Sequence, residues 1–197
     1  MRAKVIGLVV LLVVGASILV ESRAQVPAQV KQRKVVKTDR EWSKILPRDS
    51  YLVTRQKATE PAFSGKYANS HAKGYYACIC CGSLLFSSKA KFESGTGWPS
   101  FYQPIATDKV ETDADFKMAE PRVEVICNDC GAHLGHVFND GPAPTGLRYC
   151  MNSVALKFMT EAQAKAALAK EKEAEEKAKA DAKPDAAKPA VPATNAP

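Results

Sequence analysis

Three patterns of hydrophobic and polar positions follow one another along the chain. Behind Arg2 and Lys4 lies a run of apolar and small residues, Val5 to Val20, followed by Ser22-Arg23-Ala24. A basic n-region, an apolar h-region and a small-x-small site form the pattern of a secretory signal, so residues 1–24 are expected to be a signal peptide. The run is shorter than the roughly 20 residues that comfortably span a bilayer, which favours cleavage over an uncleaved anchor. Residues 25–38, short of aromatics and rich in Val, Gln and Lys, read as a linker.

From Glu41 to Phe158 the pattern changes to short apolar segments separated by Gly-bearing turns, among them Ser64-Gly65, Lys73-Gly74, Cys81-Gly82, Ser94-Gly95-Thr96-Gly97, Cys130-Gly131, Asp140-Gly141 and Thr145-Gly146. Such punctuation suits short antiparallel strands. Strands are expected at Tyr75 to Cys78, Leu84 to Phe86, Arg122 to Cys127, His136 to Phe138 and Leu147 to Lys157. One helix is expected at the start of this block, around Asp39 to Ile45, with Pro47 ending it. After Met159 the chain turns to Ala, Lys and Glu, with Thr160 and Glu161 placed to start a helix through about Ala180. This helix has no large apolar stripe, and Lys183-Pro184, Lys188-Pro189 and Val191-Pro192 break the chain beyond it. The reading is a mainly β domain at residues 39–160 and a tail at 161–197, a solvated helix and then a disordered spacer.

Composition concentrates the chemistry in the middle block. All Trp, Tyr and Phe residues, all six Cys and all three His fall between residues 41 and 158. The formal charge of +7 suggests nucleic acid until it is located. Residues 1–40 hold eight Lys/Arg against two Asp/Glu, residues 41–160 thirteen against twelve, and residues 161–197 seven against seven. The excess belongs to the leader and linker, so no nucleic-acid role is expected.

The cysteines divide into two pairs, Cys78-x-x-Cys81 and Cys127-x-x-Cys130, with Cys80 inside the first pair and Cys150 apart. In each pair Gly follows the second Cys (Gly82, Gly131), as a tight turn around metal-bound sulfur requires. Four thiolates suit one structural zinc ion; iron and disulfides are the competing uses. A bond inside a Cys-x-x-Cys pair closes only a small loop and stabilises little, which favours the metal. Cys80 reads as a small buried apolar residue or as a reactive thiol.

Cys150 lies in Arg148-Tyr149-Cys150-Met151-Asn152-Ser153, where strand alternation would place Arg148, Cys150 and Asn152 on one face. A guanidinium beside a thiol favours the nucleophilic thiolate. His133-Leu-Gly-His136-Val137-Phe138 follows the second knuckle, with Gly135 read as a bend between two histidines. They are redundant as metal ligands, and are either structural or proton donors beside a thiol. Trp98, on the Gly-rich turn before Pro99, is either core or the wall of a small apolar pocket.

Taken together and in this order, Glu41-Trp42, Thr59-Glu60, Phe63-Ser64-Gly65-Lys66-Tyr67, the two Cys pairs, Phe92-Glu93-Ser94-Gly95, Gly97-Trp98-Pro99-Ser100-Phe101, His133 to Phe138 and Arg148 to Ser153 resemble the methionine sulfoxide reductase B family over about residues 40–159. The resemblance implies two antiparallel sheets, a structural zinc held by Cys78, Cys81, Cys127 and Cys130, and reduction of the R epimer of methionine sulfoxide in proteins. It implies that Cys150 attacks the sulfoxide sulfur beside Arg148, that Trp98 and Phe138 receive the methyl end of the substrate, and that His133, His136 and Asn152 orient and protonate the oxygen. A sulfenic acid then remains on Cys150.

Many members of the family carry a resolving Cys where this chain has Thr96. An external thiol, or Cys80, must then reduce the sulfenic acid. An external donor is favoured because the family's metal site is remote from its catalytic site. An exported enzyme implies a thioredoxin-like donor outside the cytoplasm. A monomer is expected. The competing functions are a non-catalytic metal-supported β domain binding a peptide, which would not need Arg148, Cys150, Asn152 and two histidines together, and a general thiol-disulfide oxidoreductase, which would need a metal-free Cys-x-x-Cys at a helix N-terminus.

Overall fold

A computed structural model of the chain describes residues 32–181. The expected signal peptide, most of the expected linker and the Pro-rich end of the tail lie outside the described residues. Thr38 opens the first helix, α1 (Asp39–Ile45): its side chain accepts from the Glu41 amide while Glu41 reaches back to the Thr38 amide. Pro47 ends α1, because the residue before a proline is driven out of the helical region, and Leu46 is extended. The same proline is the N-cap of a second helix, α2 (Arg48–Gln56), which the hydrophobic pattern did not predict. Its inward face is Ser50, Val53 and Thr54, mostly small polar residues, so a search for apolar residues at helical spacing overlooks it.

Among the described residues there are nine strands: β1 (Tyr75–Cys78), β2 (Leu84–Ser87), β3 (Lys91–Phe92), β4 (Ser100–Phe101), β5 (Val110–Asp115), β6 (Arg122–Cys127), β7 (His133–Phe138), β8 (Arg148–Met151) and β9 (Leu156–Met159). They form two antiparallel sheets, one of three strands in the order β2-β1-β9 and one of six in the order β3-β4-β8-β7-β6-β5. Strand β5, Val-Glu-Thr-Asp-Ala-Asp, was not expected from its polar sequence. It is an edge strand paired along its whole length with β6, and its middle faces solvent.

The segment Leu147 to Lys157, expected as one strand, is divided. The chain leaves the six-stranded sheet at Asn152, makes a 3₁₀ turn at Ser153–Ala155 and enters the three-stranded sheet as β9. The break has a cause elsewhere in the sequence. The buried Glu60 carboxylate accepts from the amides of Ser153 (2.7 Å) and Val154 (3.0 Å), which a continuing ladder would have used. Asn152 therefore leaves the strand that carries Arg148 and Cys150.

Between the sheets Phe86 stacks on Phe101 with centroids 4.5 Å apart, and Tyr76 meets Phe101 edge-on at 5.0 Å. Trp42 of α1 and Val53 of α2 close the same core. Large aromatics in these geometries each bury a large apolar area.

Both ends of the described chain are more firmly docked than expected. Thr160 and Gln163 cap α3 (Glu161–Asp181) reciprocally, and Ala164 is buried against Ala77 and Leu84 of the three-stranded sheet. An alanine makes the contact, so a search for large apolar residues overlooks it. At the other end the expected linker is already part of the structure by Arg33. The Val35 amide donates to the Asp129 carbonyl (2.9 Å), and Arg33 donates to the Asn128 carbonyl (3.0 Å) and pairs with Glu111.

Gly135 adjoins a bulge, at which Leu134 is the extra residue of β7 against β6. It sits within β7, where a Cβ would lie 2.1 Å from the Cys150 carbonyl oxygen and 2.9 Å from Met151 Cα. Only a residue without a side chain lets β7 and β8 approach so closely. Gly135→Ala is therefore expected to destabilise the domain by about 1–3 kcal/mol, the usual range for overpacking. Urea unfolding measures it, and an unchanged midpoint would refute the close approach.

Candidate active site and metal centre

The two Cys pairs occupy equivalent hairpin turns in different sheets. Cys78 ends β1 and Cys127 ends β6, and in both turns the fifth residue donates back to the first: Gly82 to the Cys78 carbonyl and Gly131 to the Cys127 carbonyl, each 2.9 Å. Both glycines take positive φ, 80° and 72°, as their place after the second Cys predicts. The turns face each other, and one sulfur from each of Cys78, Cys81, Cys127 and Cys130 lies within 4.8 Å of all the others.

Cys78 Sγ is 3.7 Å from Cys130 Sγ, and Cys81 Sγ is 3.6 Å from Cys127 Sγ. A tetrahedral ion with metal–sulfur bonds of about 2.3 Å would separate its ligands by roughly 3.8 Å, so the donor set fits a metal ion. All six cysteines are free, and these separations far exceed a disulfide's roughly 2.05 Å. The neighbouring sulfurs of Cys127 and Cys130, with burial added, push the Cys78 thiol well above its ordinary range. Four thiols this close resist joint ionisation, a conflict that a cation removes. Cys80 stands against Cys78 and Cys130, outside the four-sulfur set.

The second site lies in the six-stranded sheet. Cys150 of β8 is directly opposite Ser100 of β4 on one side and His136 of β7 on the other. Its thiol opens on a cavity of about 90 Å³ walled by Trp98, His136, Phe138 and Asn152, with Thr59, Arg122, Gly135 and Met151 completing the lining. Pockets for drug-sized ligands run to roughly 300–1,000 Å³, so this one suits the end of a single side chain. Trp98 is half-buried, and its Nε1 donates to the Glu60 carbonyl at 3.1 Å. It is a pocket wall more than a core residue.

Two expected site residues stand one layer back. The His133 ring meets His136 edge-on with centroids 5.4 Å apart. The Arg148 guanidinium lies 4.3 Å over the Phe138 ring and grips Asp140 with two bonds of 2.8 Å. Asn152 accepts from the Glu60 amide (3.0 Å) and donates to the Leu134 carbonyl (3.0 Å), which leaves one amide hydrogen uncommitted within the protein. Thr96 Oγ1 is 3.8 Å from Cys150 Sγ and belongs to a hydroxyl cluster with Ser94 (2.8 Å), which also accepts from Ser100 (2.7 Å).

Sequence reading missed the acidic residues behind the site. His136 Nε2 is 2.7 Å from Asp115 Oδ2, which also accepts from Arg122 at 2.9 Å. His133 Nδ1 is 2.6 Å from Glu124 Oε1. The hydrogen bond from His136 comes first among the influences that hold the Asp115 carboxyl far below the usual carboxylate range. Glu124 carried a usable signal: an acid at an inward position of an apolar strand needs a buried partner. Asp115, in a polar segment, carried none, and Glu60 entered only within the Thr59-Glu60 part of the resemblance, with no role attached.

Fold and site describe a small β-sheet domain in which a thiol pocket and a four-sulfur metal centre are separate. Residues 46–160 match the SelR domain. The chain is 55% identical over 128 residues to the peptide methionine sulfoxide reductase MsrB of Acinetobacter baylyi, covering 65% of this chain and 92% of that protein. It is 54% identical over 134 residues to the peptide methionine sulfoxide reductase MsrB of Methanosarcina barkeri, covering 68% and 94%. The chain belongs to the methionine sulfoxide reductase B family, a family of oxidoreductases.

Burial dominates the Cys150 thiol and pushes it above its ordinary range, against the Thr96 hydroxyl, Arg148 and Ser100, which pull it down. Thiolate appears only as pH rises through that raised value. Alkylation of Cys150 by iodoacetamide, followed on its own peptide by mass spectrometry, should therefore inflect above the ordinary thiol value of about 8.5. Arg148→Met should move the inflection higher still. An inflection below about 8 would contradict this balance.

Proposed function

We propose that the protein reduces the R epimer of methionine sulfoxide in oxidised proteins and peptides, with Cys150 as the nucleophile. The observation that carries this reading is the cavity itself, in which a thiol, an aromatic wall and an imidazole converge on space for one side-chain end. The Cys150 sulfur attacks the sulfoxide sulfur, and the oxygen passes to Cys150 as the sulfur–oxygen bond of the substrate breaks. Substrate sulfur is reduced to the thioether, Cys150 is oxidised to a sulfenic acid, and the thiol proton ends on that oxygen. Trp98 and Phe138 receive the methyl group. His133, His136 and the uncommitted amide hydrogen of Asn152 direct and protonate the oxygen, and Arg148 favours the thiolate.

Thr96 cannot form a disulfide, and Cys80 stands at the metal centre, so an external thiol returns the enzyme to its starting state. Its first thiol displaces water from the sulfenic acid to give a mixed disulfide, and its second releases Cys150. A thioredoxin-like donor supplies both. The metal is zinc, one per chain, and its contribution is to hold the fold. With the full chain, a small dithiol and separate epimers of a peptide methionine sulfoxide, turnover of R alone is expected. Cys150→Ser should abolish it, and the active protein should contain one zinc. A folded, zinc-loaded chain that turned over neither epimer would sink the enzymatic reading in favour of a peptide-binding module.

The leader supports action outside the cytoplasm in an exported form. Cleavage after Ala24 would make Gln25 the first residue of the exported protein. N-terminal sequencing of that protein checks this, and an intact Met1 on the membrane would replace secretion with anchoring.

A further inference from the structure

The chemistry proposed for the cavity uses His133 but not the two charged side chains stacked behind it. The His133 ring is 3% exposed, and its Nδ1 meets Glu124 Oε1 at 2.6 Å. The Glu124 side chain, also 3% exposed, receives Lys57 Nζ on its other oxygen at 2.7 Å. Lys57 is half-exposed and is held at the left-handed C-cap of α2 (φ 54°). The three side chains therefore form one line from the surface to the histidine pair. At its inner end His133 Nε2 is buried without a hydrogen-bond partner in the protein. Buried ring nitrogens are normally satisfied, so an orphan beside the ring of His136, which walls the cavity, is the atom with capacity to spare.

We propose that Glu124, clamped by Lys57, is a positioning residue for the reaction, fixing His133 with its proton on Nδ1 and leaving Nε2, in the ring that meets His136, free to take and return a proton. The inference rests on the reading of His133 as a proton carrier. A carboxylate on one ring nitrogen sets the tautomer, the ring orientation and the basicity of the other nitrogen. Lys57 keeps the carboxylate in place and offsets the cost of burying it. The pair His136–Asp115 mirrors the arrangement with the opposite ring nitrogen engaged, Nε2 in place of Nδ1. The two imidazoles are thus held by different edges.

From the elements packed around it His133 faces Glu124 of β6, Lys57 at the end of α2 and His136 of its own strand. Burial pulls the His133 ring below its ordinary range, Glu124 works against that pull, and Lys57 and His136 add to it. Two variants should therefore move the ring in opposite directions. Glu124→Gln keeps a hydrogen-bond acceptor and removes the charge, so His133 should titrate at lower pH. Lys57→Met removes a cation while Glu124 stays, so His133 should titrate at higher pH, and Lys57→Arg should restore the original value.

The experiment is nuclear magnetic resonance titration of the full chain with labelled histidine, alongside kcat and KM for the R sulfoxide peptide across pH. The expected result is opposite shifts of the His133 resonance in Glu124→Gln and Lys57→Met. A fall in kcat of at least about ten-fold in Glu124→Gln, the lower end of what acid–base groups contribute, should accompany it with KM little changed. Because Lys57 lies at the surface, its variants keep the test open if Glu124→Gln unfolds. A His133 titration indifferent to both substitutions would overturn the proposal, as would loss of activity in Glu124→Gln with an unchanged pH profile. Opposite shifts in a wild-type chain that turns over no sulfoxide would support the coupling and reject the catalytic reading on which its purpose depends.

Discussion

One buried carboxylate organises this domain. Glu60 uses both side-chain oxygens on the Ser153 and Val154 amides, its own amide on Asn152 and its carbonyl on Trp98. The first two bonds end the ladder of β8 and let the chain cross to the other sheet. The last two orient two walls of the cavity around Cys150. Hydrogen bonds to a charged group contribute roughly 1.5–3 kcal/mol each, and a burial this deep tolerates no unpaired oxygen. The same constraint explains Gly65, where a Cβ would fall 2.4 Å from Glu60 Oε1 and 2.3 Å from Ser153 Oγ.

The four-sulfur centre works at a different place and a different level. Its two turns belong to different sheets, so whatever ion binds there joins the three-stranded and the six-stranded sheet at one point. It also fixes the start of β7, since His133 lies three residues after Cys130, and through that strand it bears on the histidines without touching the cavity. Arg33 and Arg55 add to this end of the molecule by donating to backbone carbonyls of the second knuckle.

The cavity then combines opposed electrostatic demands. Burial raises the Cys150 thiol, which protects it from indiscriminate reaction, and a cation and hydroxyls around it moderate the rise. The Arg148 guanidinium is set by Asp140 on one side and the Phe138 ring on the other. Each histidine is backed by its own carboxylate. Charged groups inside a sheet are tolerable here because every one of them is paired.

What the sequence by itself determined is the chemistry carried by local spacing. Two Cys-x-x-Cys-Gly turns, a lone Cys in a strand, two histidines three apart and a Trp on a Gly-rich turn are each legible within a few residues; the structure gathers the four paired sulfurs, and lines one cavity with Cys150, His136 and Trp98. The strands with apolar alternation and the capped helices α1 and α3 were legible for the same reason. Tertiary structure alone decided the rest, because it depends on partners far apart in sequence. Asn152 leaves its strand because the Glu60 carboxylate takes the amides of Ser153 and Val154, 93 and 94 residues along the chain. Gly135 adjoins a bulge and is also a close contact with the backbone of β8. The polar strand β5 exists only because β6 offers it a ladder, and α2 and the docked end of α3 turn small residues inward, Ser50, Thr54 and Ala164, which a search for large apolar residues passes over. Arg148 and His133 stand a layer behind the cavity because Asp140 and Glu124 hold them there, and no periodicity along the chain encodes which acid meets which base.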